Sequence, residues 1–436
     1  MTTAAPLRIG IAGLGTVGAG TVRLLRTHAE LLAQRTGRSL QVAAVSARDP
    51  SRSRDLDLVG IRWQPDARAL AEDAEVDVVC ELIGGSDGIA LDLTRAVLRR
   101  GRHVVTANKA MLALHGAELA RLAESTSAQL RWEAAVAGGI PIIRSLREGL
   151  AANRILRLSG ILNGTSNFIL STMRETGREF ADVLAEAQTL GYAEADPAFD
   201  VDGIDAAHKL ALLAALAFGG QPRFDAIHIE GIRHVSAMDI AFAEQLGYRI
   251  KLLGVARMTA AGLEQRLHPC MVPARDPIGQ VDGVYNAVAV EADQAGLVMH
   301  EGRGAGAGPT ASAVVGDLMD LARGAVIPTF GITAASLADH PIAPMSSHEG
   351  SYYIRLIVLD EPGVLADISA VLRDHEVSIE SLIQRGRNPG QPVPIVLTSH
   401  DTTEARMRGA LERIGALPAV LEPPRMIRIE RSSAAP

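Results

Sequence analysis

Cysteines, aromatic residues and long apolar runs are all scarce in this chain. Among its 436 residues only Cys80 and Cys270 are cysteines, too few for a disulfide scaffold or a cysteine-rich zinc site. Aromatics make up 3%, so the core is expected to be aliphatic. The most apolar stretch, "LALLAALAFGG" after Lys209, is too short to span a bilayer, and no membrane partner is expected. There is no basic block or aromatic-interleaved basic patch, and the net charge is −7, which argues against nucleic acid as a partner. "MTTAAPLRIGIAGLG" enters a strand pattern at once and reads as carrying no signal peptide. A soluble, cytoplasmic protein is expected.

What is present is an ordinary globular balance, 47% hydrophobic and 21% charged. The chain is longer than one core usually serves, so two or three domains are expected. "LRIGIAGLGTVGAGTVRLL" reads as a strand, the turn Gly13-Leu14-Gly15-Thr16-Val17-Gly18, and a helix. Glycines at that spacing permit a tight turn, close backbone approach to a pyrophosphate and close helix–strand packing. A turn without ligand is the alternative. The second strand pattern, "LQVAAVSARD", ends with Arg48 before Asp49. Arg48 can receive a 2′-phosphate or be a solvated loop residue, which leaves NADP and NAD both open.

Further strands at "VDVVCELIGG" and "GRHVVTANK" alternate with helix patterns, which implies a parallel, doubly wound α/β sheet. Ligands in such sheets lie beyond the strand C-termini, where Gly84, Gly85, Thr106, Asn108 and Lys109 fall. Lys109 is a functional candidate, with a plain surface lysine as the alternative.

"LRWEAAVAGGIPIIRSL" combines Glu133 with the carbonyls of Val136, Gly138 and Ile140 in a glycine-rich turn. One carboxylate with several carbonyls suits a hard cation; a structural turn is the competing reading. "GILNGTSNFIL" turns through Gly164 and Thr165 into a helix, offering N–H groups and a hydroxyl to a small polar substrate or simply an N-cap. "LGYAEADPAFDVDGIDAAHK" gathers Glu194, Asp196, Asp200, Asp202 and Asp205 ahead of His208 and Lys209. Gly191 reads as a helix C-cap, and Pro197 is expected to stop any helix through the loop. From Gly203 the pattern is helical, so Asp205 and Lys209 lie one turn apart on one face. An exposed pair of that kind contributes only about 0.3–0.5 kcal/mol. Buried at a cleft floor, it would instead hold an amine near a substrate oxygen with its pKa set by neighbours. "EGRGAGAGPTASAVVGDLMDLA" offers another backbone-lined helix start, with Gly306 in the loop and Pro309 expected at the first helical position.

After the stretch "ADHPIAPMSSHEGSYY", read as a linker, strands and helices follow in the order βαββαβ, the ferredoxin-like arrangement. "RSSAAP" reads as a disordered tail.

Taken together, "GLGTVG", "ELIGG", "VTANK", "EAAVAGGIPII", "GILNGTSNFIL", "LGYAEADPAFDVDGIDAAHK" and "GAGAGPTASAVVGDL" resemble the homoserine dehydrogenases over residues 8 to 323. "VLDEPGVLADISAVLRDHEVSIESL" resembles an ACT domain. The resemblance implies a Rossmann-like nucleotide-binding domain (1–145), a mixed α/β catalytic and dimerisation domain (146–308) and helices returning to the first domain (309–340). A linker (341–350) and the ACT domain (351–431) complete the expected organisation. It implies NADP or NAD as cofactor and interconversion of L-homoserine and L-aspartate 4-semialdehyde, within threonine, methionine and isoleucine biosynthesis. Gly13 to Gly18, Arg48, Thr106, Lys109, Gly191 and Gly306 would then contact cofactor. Glu194, Asp200, Asp205, Gly164, Thr165 and Tyr192 would bind substrate, and Lys209, Lys109 and Asp205 would be catalytic. Glu133, Val136, Gly138 and Ile140 would hold a monovalent metal ion, Na or K. Asp360, Gly363, Val364 and Leu365 would bind a regulatory amino acid, threonine by resemblance, or serve dimerisation alone. A homodimer or homotetramer is implied. No kinase-like segment precedes residue 8, so a fused kinase is not expected. The competing readings are another semialdehyde or aspartate dehydrogenase, against which the Asp205/Lys209 helix and "NGTSN" weigh, and a redox-dead amino-acid sensor, which would lack the two lysines.

Overall fold

The computed structural model describes residues 4–430 except 53, 55 and 385–387; the tail read at 431–436 lies outside the described residues. Six parallel strands open the chain: β1 (Ala4–Ala12), β2 (Arg38–Ser46), β3 (Arg62–Trp63), β4 (Val78–Glu81), β5 (His103–Thr106) and β6 (Leu130–Arg131). Their order is β3-β2-β1-β4-β5-β6, the doubly wound arrangement anticipated from alternation of strand and helix. Apolar side chains leave both faces of the sheet, so both are covered. Leu7, Ile9 and Ile11 pack with Val22 and Leu25 of the first helix and with Val314 and Leu318 of the helix Ala307–Ala322. The returning helix therefore completes the first domain's core. It starts at Ala307, so Pro309 is its third residue and not its first; that is still the turn where a missing N–H costs no helical hydrogen bond.

A second sheet of eleven strands joins the middle and the C-terminal part of the chain. Its central hairpin, Tyr248–Thr259 and Gly262–Pro273, is antiparallel in unbroken register. Against it lies the helix Ile204–Phe218, in which every residue from Asp205 to Leu216 is buried. An all-round buried helix needs apolar residues on all sides, which is why its sequence is nearly all Ala and Leu, and why a carboxylate and an amine within it stand out.

The C-terminal elements Glu349–Leu359, Val364–Asp374, Ile379–Gln384, Pro392–Ser399, Glu404–Gly415 and Arg425–Ile429 form the ferredoxin-like unit of the ACT domain, with its own core around Ile354, Ile368, Leu397 and Met407. Its last strand continues the middle sheet: Cys270 pairs with Arg428 and Met271 with Ile429, and the Glu430 N–H donates to the Met271 carbonyl at 2.8 Å. The stretch read as a linker is tied down as well. Leu263 N–H donates to the Pro341 carbonyl at 2.8 Å, and the Ala343 N–H returns to the Leu263 carbonyl at 3.1 Å. Among the described residues no helix is long and apolar enough to cross a membrane.

Candidate active site at the mouth of the parallel sheet

The glycine turn does what its spacing requires. Gly13 has φ 99°, and a Cβ there would stand 2.4 Å from the Leu82 carbonyl oxygen; one on Gly18 would stand 1.9 Å from the Gly13 carbonyl oxygen. Gly15 has nothing within 4 Å, so the chain approaches itself closely at the outer glycines and leaves open space before the middle one. That is the shape a pyrophosphate needs at a helix start, and the helix Thr16–Thr27 begins there with Gly15 as its cap. Leu14 is buried and its carbonyl accepts from Arg54 Nε at 3.2 Å. Gly306, φ 118°, caps the returning helix, whose Ala307 carbonyl lies 2.8 Å from where a Gly20 Cβ would be. Arg48 is exposed.

Two further loops at this edge are pinned by a residue that sequence reading did not single out. Glu81 ends β4 fully buried; its carboxylate accepts from Ile83 N–H at 2.8 Å, from Gly84 N–H at 3.2 Å and from the Thr106 hydroxyl at 2.7 Å. Thr106 thus spends its hydroxyl inside the protein. Asn108 caps the helix Lys109–Ser125, and its Nδ2 donates to the Gly85 carbonyl at 2.7 Å. Lys109 follows as the first residue of that helix, aimed across the edge.

It meets the second domain there. Lys109 Nζ lies 3.0 Å from Asp205 Oδ1, and Lys209 Nζ lies 2.7 Å from Asp205 Oδ2 and 2.7 Å from the Leu162 carbonyl. Asn163 Nδ2 donates to both Asp200 (2.8 Å) and Asp205 (3.0 Å), while its own oxygen caps the helix Gly164–Thr176. Phe199 lies under the Lys109 ammonium, 5.8 Å from ring centroid to Nζ. Burial alone would raise the Asp205 carboxyl; the ammonium groups of Lys209 and Lys109 outweigh it and hold Asp205 well below the usual carboxylate range. Burial lowers the Lys209 amine, with Asp205 pulling the other way and Lys109 adding to the lowering. Burial, with help from Asp205, raises Asp200 against its bond from Asn163. The site is an amine kept chargeable by one carboxylate and easily deprotonated through its burial, which suits reversible proton transfer.

Other expected residues are less concentrated. Gly164 faces the Val284 carbonyl so closely that a Cβ would be 2.6 Å away. The Thr165 hydroxyl donates to the Tyr192 carbonyl at 2.7 Å, and the Tyr192 ring stacks edge-on to Phe168. Gly191, φ 75°, follows the helix Phe180–Thr189. Pro197 does not end helical structure; it caps the short helix Ala198–Val201, because its fixed φ suits a helix start. Glu194 is exposed, and its backbone carbonyl accepts from Gln188 Nε2 at 3.0 Å. Glu133 is buried and accepts from Ile143 and Arg144 N–H groups at 2.9 Å each; burial and the neighbouring Asp317 push its carboxyl up to about 7. The Ile140 carbonyl accepts from Ile142 N–H at 2.8 Å, and Gly138 has φ 42°. At the C-terminal turn Gly363 (φ 97°) caps the helix Val364–Asp374, and the Asp360 carboxylate accepts from the Asn388 N–H at 2.6 Å. Beside it lies a cavity of about 270 Å³ lined by Glu361, Val364, Asp367 and Ala419; Leu365 is half-buried. A signal for Asn163 was present in "ILNGTSN", but its two partners lie far along the chain; Asn108 was placed at this edge by its strand end, whereas Glu81, Phe199 and Arg54 carried no local mark of their role.

A dinucleotide cradle facing a buried lysine–aspartate pair defines an NAD(P)-dependent oxidoreductase. Family models agree in detail: residues 13–133 match the homoserine dehydrogenase NAD-binding domain, 141–319 the homoserine dehydrogenase catalytic domain and 352–419 the ACT domain. A homoserine dehydrogenase of Pseudomonas aeruginosa is 47% identical over 433 residues, covering 98% of this chain and 99% of that one. The crystal structure of a homoserine dehydrogenase from Thiobacillus denitrificans superposes with a TM-score of 0.93 at 45% identity, covering 98% of this chain and 99% of that one. A hyperthermophilic archaeal homoserine dehydrogenase in complex with NADPH has a TM-score of 0.62 at 27% identity, covering 73% and 97%. The chain belongs to the homoserine dehydrogenase family. It acts on a CH–OH group with NAD(P).

Proposed function

We propose that Lys209 is the acid/base of L-homoserine and L-aspartate 4-semialdehyde interconversion. A bound nicotinamide supplies the hydride. Lys209 gives its proton to the forming alkoxide and stabilises the developing negative charge. Asp205 keeps that amine oriented between two hydrogen bonds, Asp200 offers a carboxylate to the substrate ammonium, and Lys109 closes the cluster from the nucleotide-binding side. Gly164, Thr165 and Tyr192 line the substrate's approach, with Glu194 joining from the exposed loop. The observation that carries the reading is the Lys109–Asp205–Lys209 chain of contacts at 3.0 and 2.7 Å. Lys209→Ala tests it: turnover falls by roughly a factor of 10²–10⁴ with cofactor affinity nearly unchanged, and near-normal turnover would remove Lys209 from the mechanism.

The glycine turn from Gly13 to Gly18, Gly191 and Gly306 would hold the dinucleotide, with Thr106 contributing through its backbone; the open space before Gly15 supports the fit. NADP is the favoured form, since Arg48 is exposed at the end of β2 and an archaeal relative is known with NADPH. Glu133 with the carbonyls of Val136, Gly138 and Ile140 would hold Na or K. A buried Asp317 oxygen beside Glu133 that accepts no hydrogen bond, its nearest cation being Arg144 Nη2 at 3.7 Å, supports a cation there, which would brace the turn against the Gly304 backbone, 2.6 Å from a Cβ on Gly138. The Asp360–Leu365 turn and its cavity would take threonine as feedback inhibitor; inhibition and thermal stabilisation by threonine, absent with unrelated amino acids, test this. Exposed Leu156 and Met258 on paired strands support a homodimer or homotetramer, which sedimentation would measure.

A further inference from the structure

The cleft carboxylates and the C-terminal domain are joined by a bridge two residues long. Asp200 lies in the short helix Ala198–Val201 and Asp205 in the first turn of Ile204–Phe218. The turn between them therefore fixes how the two acids stand. That turn rests on the segment 230–233. Ile232 N–H donates to the Val201 carbonyl at 2.9 Å, and Arg233 grips Asp202 with two nitrogens. Gly231 approaches so closely that a Cβ would lie 2.4 Å from the Val201 oxygen and 2.6 Å from Asp202 Cα. Gly203 is pressed onto the hairpin strand Gly262–Pro273, its would-be Cβ 2.8 Å from the Leu267 side chain.

The next residue back is Glu230. Its N–H donates to the Leu267 carbonyl at 2.8 Å. Its carboxylate is held by Arg428 in a fork, Nη1 at 2.8 Å and Nη2 at 3.0 Å, with His228 Nε2 at 2.8 Å and Arg408 at 3.1 Å alongside. Arg428 belongs to the last strand of the ACT domain, is 1% exposed, and turns its other edge to Glu404. A planar fork on a carboxylate fixes direction as well as distance, so Arg428 sets where Glu230, and with it Gly231 and Ile232, can lie.

We propose that Glu230 and Arg428 are positioning residues for the carboxylates of Asp200 and Asp205: through them the C-terminal domain fixes the turn that spaces Asp200 from Asp205. The proposal rests on the reading of those acids as substrate-site residues. Arg157 provides an internal control, since it reaches across the same seam to Glu430 at 2.8 Å and, among the described residues, bonds to neither Glu230 nor Arg428.

Steady-state kinetics of the full-length protein with homoserine and cofactor varied separately test it. Glu230→Gln and Arg428→Met are expected to raise KM for homoserine by roughly ten- to hundredfold, the scale of about an ångström of misplacement, while KM for cofactor stays within about twofold. Arg428→Lys should fall between, keeping the charge without the fork. Arg157→Met should leave both KM values unchanged. Gly231→Ala alters no charge but pushes the turn directly, and should reproduce the homoserine effect even if a charge variant fails to fold. Unchanged homoserine KM in Glu230→Gln or Gly231→Ala, or an equal rise in Arg157→Met, would overturn the assignment. Lys209→Met measured alongside separates the two levels. Full turnover there removes the site reading itself, whereas an inactive Lys209→Met beside a flat homoserine KM in Glu230→Gln removes only this inference.

Discussion

The middle domain has two junctions, and they are built on opposite plans. Toward the nucleotide-binding domain, the polar contacts at the cleft are those of Lys109, an ion pair to Asp205 and the Phe199 ring beneath it, with the lysine side chain 31% exposed; behind them Met111 and Leu112 share one buried apolar core with Leu210 and Leu213. Toward the ACT domain, strands pair directly and a buried network runs through the seam: Arg266 bonds to Glu264 at 2.8 Å and to Glu430, Arg157 bonds to Glu430 at 2.8 Å, and Arg355 with Tyr353 holds Asp239. The first junction is polar and accessible only at its mouth, where ligands enter, and is held behind it by apolar packing. The second has no ligand to pass, and its charges are out of water, where each is tolerable only while its partners stay.

The comparison breaks first at the chemical junction. Lys209→Met should lower kcat by roughly a factor of 10²–10⁴ with thermal stability preserved, because the methionine fills a buried site and Asp205 keeps its contact with Lys109; steady-state rates and a melting curve check both halves. The seam should fail the other way. Arg266→Met takes a partner from each of two buried carboxylates, leaving Glu430 to Arg157 and Glu264 to Arg257 and His348, and should cost up to about 3–5 kcal/mol of stability by denaturant unfolding, with the KM of cofactor in the surviving folded fraction little changed.

Acid sharpens the contrast. Burial would raise Glu264 and Glu430, but His348 and Arg266 at Glu264, and Arg266 and Arg157 at Glu430, hold both well below the usual 4.5. A carboxyl depressed in the folded state contributes stability above its unfolded value and loses it as pH falls. The melting temperature should therefore drop from about pH 4.5 downward, and the drop should be shallower in Arg266→Met. At the cleft, Asp205→Asn removes the group that raises the Lys209 amine, so the pH profile of homoserine oxidation should move to lower pH. The smallest effects should distinguish the glycines: Gly18→Ala collides with the Gly13 carbonyl and should destabilise the fold, whereas Gly15→Ala meets nothing in the protein and should weaken only cofactor binding.

How much of this was legible follows the range of the interactions. The Gly13–Gly18 turn and the Asp205–Lys209 pair are local, so spacing in the chain implied spacing in the fold. The parallel sheet followed from strand–helix alternation. Pro309 and Pro197 were misplaced by a few residues because proline tolerates several positions in a first helical turn. Glu81 and Phe199 were missed because each acts on partners brought by another strand or helix. The linker reading of 341–350 came from Pro and Ser content, which does not reveal that the segment finds hydrogen bonds on Leu263.

By itself, the sequence determined the nucleotide cradle and the carboxylate–amine helix, because backbone sterics and helical pitch act over a few residues. Only the tertiary structure decided that Lys109 reaches Asp205, that Asn163 links Asp200 to Asp205, and that Arg428 reaches back to Glu230. Those contacts join residues whose neighbourhood exists only after both sheets have formed, and no local rule of chain geometry encodes it.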